Sequence, residues 1–221
     1  MAIKPILFNT EMVRAILDGR KTCTRRIVRP PYFVDGDEND KRSLITLRTA
    51  TKNSSLYRQI GQMPYPDAPY RMCDILYVRE TWERFECWNC EGDERGNCPK
   101  EPQKSVLDKT CGCYMYRATN EISGDAKWHP SLHMPKEAAR IWLKVTDVRV
   151  ERLQEITLEQ ICREGVEIEY PYVLNGEEKI YAFSNLWNST IKKSDLERYG
   201  WDANPYVFVI EFIRIDKPEE I

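Results

Sequence analysis

The chain predicts a mostly β, α+β domain: a small β-barrel decorated by short helices and one cysteine-rich insertion. Three observations predict it. Segments with strand patterning recur, and short helical patterns separate them. The last segment, Tyr206 to Ile213, is apolar on both faces, as a strand inside a closed or covered sheet is. Five of the eight cysteines lie between Cys87 and Cys113, a clustering that no apolar core requires. The 221 residues contain no internal repeat and are read as one domain over 1–221. A loop insertion at about 34–69 and the cysteine-rich insertion at about 84–113 interrupt it.

In chain order, Pro5 to Phe8 reads as a first strand. Thr10 caps a helix with Glu11 in its first turn and Met12, Val13, Ile16 and Leu17 on one face. Gly19 stops that helix, because glycine takes the left-handed conformation cheaply. The stretch Gly19 to Arg26 then emerges extended and runs into Ile27 and Val28. From Val34 to about Pro69 the pattern is weak. Its acidic run, Asp35 to Asp40, lacks calcium-loop spacing and reads as solvated loop. Asp74 to Val78 is a strand that delivers Arg79-Glu80-Thr81-Trp82. Cys113 to Arg117 is a short strand, and Trp128 to Pro135 is a loop pinned by two prolines. Ala138 to Val150 alternates as a strand. Thr157 opens a short helix with Gln160 at the capping-box position, and Gly165 closes it. Ser184 caps another helix carrying Leu186, Trp187 and Ile191.

Composition narrows the function classes. Hydrophobic residues at 42% and charged residues at 31% are ordinary for a soluble globular protein. No apolar run approaches the ~20 residues of a membrane helix. Met1 to Thr10 lacks the pattern of a secretory signal, so a cytoplasmic location and no membrane partner are expected. A net charge of -2 argues against a general nucleic-acid coat. Arg14, Arg20, Lys21, Arg25, Arg26 and Arg29 nevertheless crowd one region, opposed only by Glu11 and Asp18. That patch suits a phosphate-bearing ligand held at one place, or else is a solvated basic face.

In a cytosolic chain, clustered cysteines more often bind metal than form disulfides. Cys87-x-x-Cys90 and Cys111-x-Cys113 each let two thiolates from one tight turn reach the same ion. A structural zinc held by Cys87, Cys90, Cys111 and Cys113 is expected, with Cys98 as substitute. Reduced thiols or an oxidised pair are the alternatives. Cys23, Cys73 and Cys162 stand apart and read as small packing residues, although the cations around Cys23 could also make it a reactive thiolate.

Gly19-Arg20-Lys21-Thr22-Cys23-Thr24-Arg25-Arg26 mixes four cations, a thiol and two hydroxyls, which no packing requirement calls for. The pattern Gly19-Arg20-Lys21-Thr22-x-Thr24-x-Arg26, followed by Asp74 to Val78, resembles the ASCH family, a branch of the PUA-like barrels. Val78 to Trp82, Trp128 to Arg140, Val145 to Ile156 and Trp201 to Ile215 resemble the ASCH proteins common in phages and prophages. Family members usually have a glycine where Cys73 stands. The resemblance implies a β-barrel with helices at its rim, a cleft beside the first helix, and nucleoside or RNA partners. It also implies a possible activity, that of the small ASCH amidohydrolases, which remove the acetyl group of N4-acetylcytidine with a lysine, a threonine and a glutamate. Lys21 and Thr24 match the first two, and the layout of Thr157 to Glu164 places Glu164 as the third.

In that chemistry Thr24 attacks once a base takes its proton. Lys21 serves when neutral, and Arg20, Arg25 and Arg26 disfavour its charged form. Glu164, at the negative end of its helix, is expected to donate a proton to the leaving amine. Lys21 and Thr24 fall on opposite faces of a straight strand, so the site requires a turn or bulge just after Gly19. Arg20, Arg25 and Arg26 suit phosphate or carbonyl contacts, with surface salt bridges as the alternative. Glu80 is expected to accept from a base amino group and Trp82 to stack on the ring, or both to be structural. His133 lines the cleft or makes a structural hydrogen bond; His129 is read as a loop residue, and Trp187 and Trp201 are expected to pack. A recognition module without catalysis, and an accessory protein that binds another protein, remain open readings.

Overall fold

The structure, a computed structural model, describes residues 1–28, 44–48, 55–59, 69–86, 103–104, 111–120, 127–166 and 176–219. Its elements in chain order are β1 (Ile3–Leu7), α1 (Thr10–Leu17), β2 (Cys23–Ile27), β3 (Leu44–Arg48), β4 (Ser55–Gln59), β5 (Ile75–Arg79), β6 (Trp82–Glu86), β7 (Gln103–Lys104), β8 (Cys111–Tyr116), β9 (Trp142–Arg152), α2 (Leu158–Arg163), α3 (Glu177–Ser189), α4 (Leu196–Tyr199) and β10 (Tyr206–Ile215). The fold is α+β. Five strands form the main sheet in the order β1-β5-β9-β10-β2. β1 pairs with β5 in parallel, and the other pairs are antiparallel. A second sheet has the order β6-β8-β7, and β3 pairs with β4.

Both faces of the main sheet are covered, which is why β10 is apolar on both faces from Tyr206 to Ile210. Phe208, Ile210 and Phe212 join Ile6, Leu76, Val78, Leu143 and Val145 under Val13 and Ile16 of α1. On the opposite face Val207 and Val209 pack with Ile161 of α2 and with Phe183 and Trp187 of α3. Alternation along the strand sends successive side chains to the two layers. No backbone pairing among the described residues joins β1 to β2. Instead Arg26 Nη2 donates to the Leu7 carbonyl at 3.0 Å across that seam.

Several local expectations need correction. Asn9, not Thr10, caps α1: its side chain accepts from the Met12 amide at 2.8 Å. The strand expected from Ala138 begins at Trp142, because Lys136–Ala138 form a 3-10 turn after Pro135. Ser184 lies inside α3, whose N-cap is Gly176. The region expected as a loop at about 34–69 carries β3 and β4. Cys111 to Cys113 lie in β8, a strand rather than the tight turn expected for paired thiolates. Cys87, Cys90 and Cys98 lie outside the described residues.

Cys73 adopts φ +68°, the left-handed conformation that suits glycine, in the turn that Asp74 closes by accepting from the Arg71 amide at 3.0 Å. A β-carbon there costs roughly 1–2 kcal/mol, while glycine gives back roughly 0.5–1 kcal/mol through the unfolded chain. Cys73→Gly is therefore expected to stabilise the fold by roughly 0.5–1 kcal/mol in urea denaturation. A loss of stability would count against this account of the turn.

Candidate functional site

The sequence places three backbone segments against one another. After α1 the chain turns at Gly19, φ +76°, and the Lys21 amide donates back to the Ala15 carbonyl at 2.9 Å. Lys21 then forms an isolated antiparallel bridge with Glu164, the C-cap of α2, and the Thr22 amide donates to Arg163 O at 2.8 Å. Regular β2 begins only at Cys23, where its pairing with β10 starts opposite Glu211. This is the break in extended geometry that the odd spacing of Lys21 and Thr24 requires. Gly165, φ +81°, completes the junction. A β-carbon on it would sit 2.7 Å from Ala15 Cβ and 2.9 Å from Lys21 Cβ.

Lys21, Thr24, Arg25, Arg26 and Glu164 line one cavity of ≈ 180 Å³ together with Leu7, Phe8, Leu186 and Trp187. Its lining comes from the end of β1, from β2 and from α3. Lys21 Nζ donates to Glu164 Oε2 at 2.6 Å and to the Glu164 carbonyl at 2.8 Å. Arg25 Nη1 donates to Glu164 Oε1 at 3.0 Å, so one carboxylate is clamped by two cations. All three side chains are buried. The lysine and glutamate expected as separate base and acid are thus two ends of one short hydrogen bond. Thr24 Oγ1 accepts from Arg26 Nη1 at 3.1 Å.

An ionic chain runs behind the cavity. Arg25 Nη2 also contacts Gln160 Oε1 at 3.0 Å and Glu151 Oε2 at 3.3 Å. Glu151 takes Arg149 at 2.5 Å, Arg149 takes Glu211 at 2.6 Å, and Glu211 takes Arg163 at 2.6 Å. Arg163 Nε returns to Thr22 Oγ1 at 3.2 Å, one residue from Lys21. Burial pushes the Glu211 carboxyl up, but hydrogen bonds from Arg163 and Arg149 outweigh it and hold the group below its ordinary value. Gln160 serves twice, since the same Oε1 also accepts from the Thr157 amide that it caps.

Arg26 differs from the other cations of the cavity. Its hydrogen bonds go to Thr24 Oγ1, Arg25 O and Leu7 O, all neutral acceptors. No described carboxylate pairs with it. Its guanidinium stands 5.4 Å from the centre of the Phe8 ring. Burial pulls its pKa below the ordinary value, against the raising influence of Tyr70 and Glu164. A half-buried guanidinium with only neutral partners is what an anionic or strongly polarised ligand group would complete.

The remaining expected residues lie elsewhere. Arg20 is exposed and contacts Asp18 Oδ2 at 3.0 Å and the Gly165 carbonyl at 3.2 Å; it does not line the cavity. Glu80 is 1% exposed and is held by Arg140 in a two-point ion pair, 2.9 Å at each end, so its acceptor capacity is spent on the fold. Trp82 lies in β6 with its ring 5.1 Å from His129 and 5.7 Å from Tyr114, away from the cavity. His133 is exposed at the end of the Ser131–His133 turn. Trp201 packs edge-on to Phe183, as expected. Trp187 packs too, but it also walls the cavity. Cys23 is buried, and desolvation together with the Glu164 carboxylate pushes its thiol up to about 12 despite Lys21, Arg25 and Arg163. It is a packing thiol, not a reactive thiolate.

Sequence reasoning missed Phe8, Glu151 and Arg26's lack of a counter-ion. Phe8 follows its strand directly, but neither its place on the cavity wall nor Glu151's pairing across 126 positions has a local signal. Among the described residues no group of three or more His, Cys, Asp or Glu side chains could hold a metal, and no helix is long and apolar enough to cross a membrane. Comparison with protein-family models, curated proteins and solved structures finds no match to this chain.

Proposed function

We propose that this chain is a cytoplasmic ASCH-type, PUA-like protein whose cavity takes an N4-acylated cytidine or a related acyl nucleoside and hydrolyses its amide. The observation that carries the reading is the convergence of Thr24, Lys21, Glu164 and Arg26 on one small cavity. The resemblance of Gly19 to Arg26 supports it independently.

The short Lys21–Glu164 hydrogen bond supplies a route for the protons. Shifting one proton along it gives a neutral amine and a carboxylic acid, a combination favoured once a ligand excludes water. Thr24 Oγ attacks the acyl carbon while its proton passes to Lys21. Charge developing on the tetrahedral oxygen is stabilised by the ammonium that Lys21 becomes on taking the proton. Glu164 protonates the exocyclic nitrogen as the C–N bond breaks, releasing the base amine and leaving an acyl ester on Thr24. Water cleaves the ester, its hydrogen returning to the threonine oxygen and its hydroxyl leaving with the acid.

The test is hydrolysis of N4-acetylcytidine and related acyl nucleosides by the wild type and by Thr24→Ala. Removing the nucleophile is expected to lower kcat/KM by at least about a hundredfold. Turnover unchanged by the substitution would remove Thr24 from this role. Absence of turnover on every substrate, with nucleoside or RNA binding intact, would leave a recognition module that grips base and phosphate with the same residues.

The thiols of Cys87, Cys90, Cys111 and Cys113, with Cys98 in reserve, form a donor set suited to a structural zinc. Such a site would fold the insertion and take no part in the hydrolysis. Metal analysis of purified protein is expected to find roughly one zinc per chain. A content far below that would remove the assignment.

A further inference from the structure

A second cavity, ≈ 450 Å³, adjoins the first. Arg25, Arg26, Trp187 and Thr190 line both, so the two meet at the paired guanidiniums. Tyr70 and Ile191 lie on the wall of the larger one. The Tyr70 hydroxyl donates to the Pro5 carbonyl at 2.9 Å, which anchors that wall to β1.

One donor near the junction, Arg25 Nε, has no partner, and Arg26 has no counter-ion among the described residues. Arg25 is 2% exposed, yet its buried Nε–H has no hydrogen-bond acceptor. Its two Nη groups are already engaged by Glu164, Glu151 and Gln160. Arg26 beside it has only neutral partners among the described residues. An unsatisfied buried donor costs as much as a lost hydrogen bond, and a half-buried cation without a counter-ion bears part of the cost of a buried charge. Arg26 lines both cavities, so one anion at their junction would supply its missing counter-charge; Arg25 Nε is closed to solvent and lies beyond that anion's reach. A free nucleoside in the smaller cavity carries no such group.

We infer that the ligand is a phosphate-bearing nucleotide: its base occupies the smaller cavity, its phosphate sits at Arg26, and what the phosphate is attached to extends into the larger cavity. This rests on the nucleoside reading above and narrows it. The phosphate can belong to a mononucleotide or to a linkage in a strand. The two differ in whether the larger cavity is filled by a neighbouring unit stacked on Tyr70 or Trp187.

Binding of cytidine, cytidine 5′-monophosphate, cytidine 3′-monophosphate and a cytidine-containing dinucleotide to the full chain, measured by calorimetry at low and high salt, tests it. At least one phosphorylated probe is expected to bind at least about tenfold more tightly than cytidine, with the advantage shrinking as salt rises. In Arg26→Gln the ratio of phosphorylated to unphosphorylated affinity is expected to fall to about one, and Arg26→Lys to retain part of it. The ratio is read within each variant, and thermal unfolding confirms that each is folded. Further tightening by the dinucleotide places a second unit in the larger cavity; equal binding of dinucleotide and monophosphate assigns the phosphate to a mononucleotide. Equal affinity for cytidine and every phosphorylated probe, or a phosphate preference that survives in Arg26→Gln, overturns the inference and leaves the nucleoside reading standing. Binding of none of the four overturns the inference, and the hydrolysis of N4-acetylcytidine then decides the nucleoside reading separately.

Discussion

Glu164→Gln is expected to destabilise the protein by about 3–5 kcal/mol, the usual effect of removing one partner from a buried ion pair. Glu164 is the only described carboxylate that touches both Lys21 and Arg25, which are almost fully buried. Glutamine keeps the shape and one acceptor oxygen but leaves the Lys21 ammonium without a counter-charge. Arg25 retains Glu151 at 3.3 Å, so most of the effect should fall on Lys21. Urea denaturation reads this, and a double-variant cycle locates it. Adding Lys21→Met to Glu164→Gln removes the stranded charge and is expected to recover about 1–2 kcal/mol. Amide hydrolysis is expected to be lost in both, because the base and the acid of the proposed reaction are the two ends of this one hydrogen bond. A change below about 1 kcal/mol in Glu164→Gln would mean that the pair is well solvated and that the proton shift proposed along it has no basis.

What could be read from the chain was what local chemistry decides. Gly19 and Gly165 stop their helices with positive φ, and Thr157 and Gln160 form the expected capping box. The apolar run of β10 correctly implied a sheet covered on both faces. Errors arose where neighbouring residues offered the same chemistry or where the partner is distant. Asn9 and Thr10 are both good caps, and only the backbone geometry selects Asn9. Glu80 at a strand end looked available to a ligand because Arg140, 60 positions away, leaves no local trace. The basic stretch is likewise not one patch. Arg25 turns inward into the ionic chain, Arg20 stays at the surface, and Arg26 alone in that stretch faces the cavity with neutral partners only.

The junction that brings Lys21 to Glu164 depends on the absence of a side chain at Gly165, and Gly165→Ala should reveal how much. At φ +81° an alanine costs roughly 1–2 kcal/mol in backbone strain. Its β-carbon would also meet Ala15 Cβ at 2.7 Å and Lys21 Cβ at 2.9 Å, distances at which something must move. Overpacking of this kind adds roughly 1–3 kcal/mol. Against these stands a gain of up to roughly 1 kcal/mol from the stiffer unfolded chain, which leaves a net loss of about 1–5 kcal/mol. Gly19→Ala supplies the control: its φ of +76° imposes the same strain, but a β-carbon there meets nothing within 4 Å. Gly165→Ala is therefore expected to be worse than Gly19→Ala by about 1–3 kcal/mol in denaturant, the packing component isolated from the backbone one. The movement that relieves the clash separates α2 from Lys21, so the proposed hydrolysis should fall in Gly165→Ala by more than in Gly19→Ala. Equal stabilities for the two variants would show that the helix end can withdraw freely, and that the close contact between Lys21 and Glu164 is not held by the packing of Gly165 against α1.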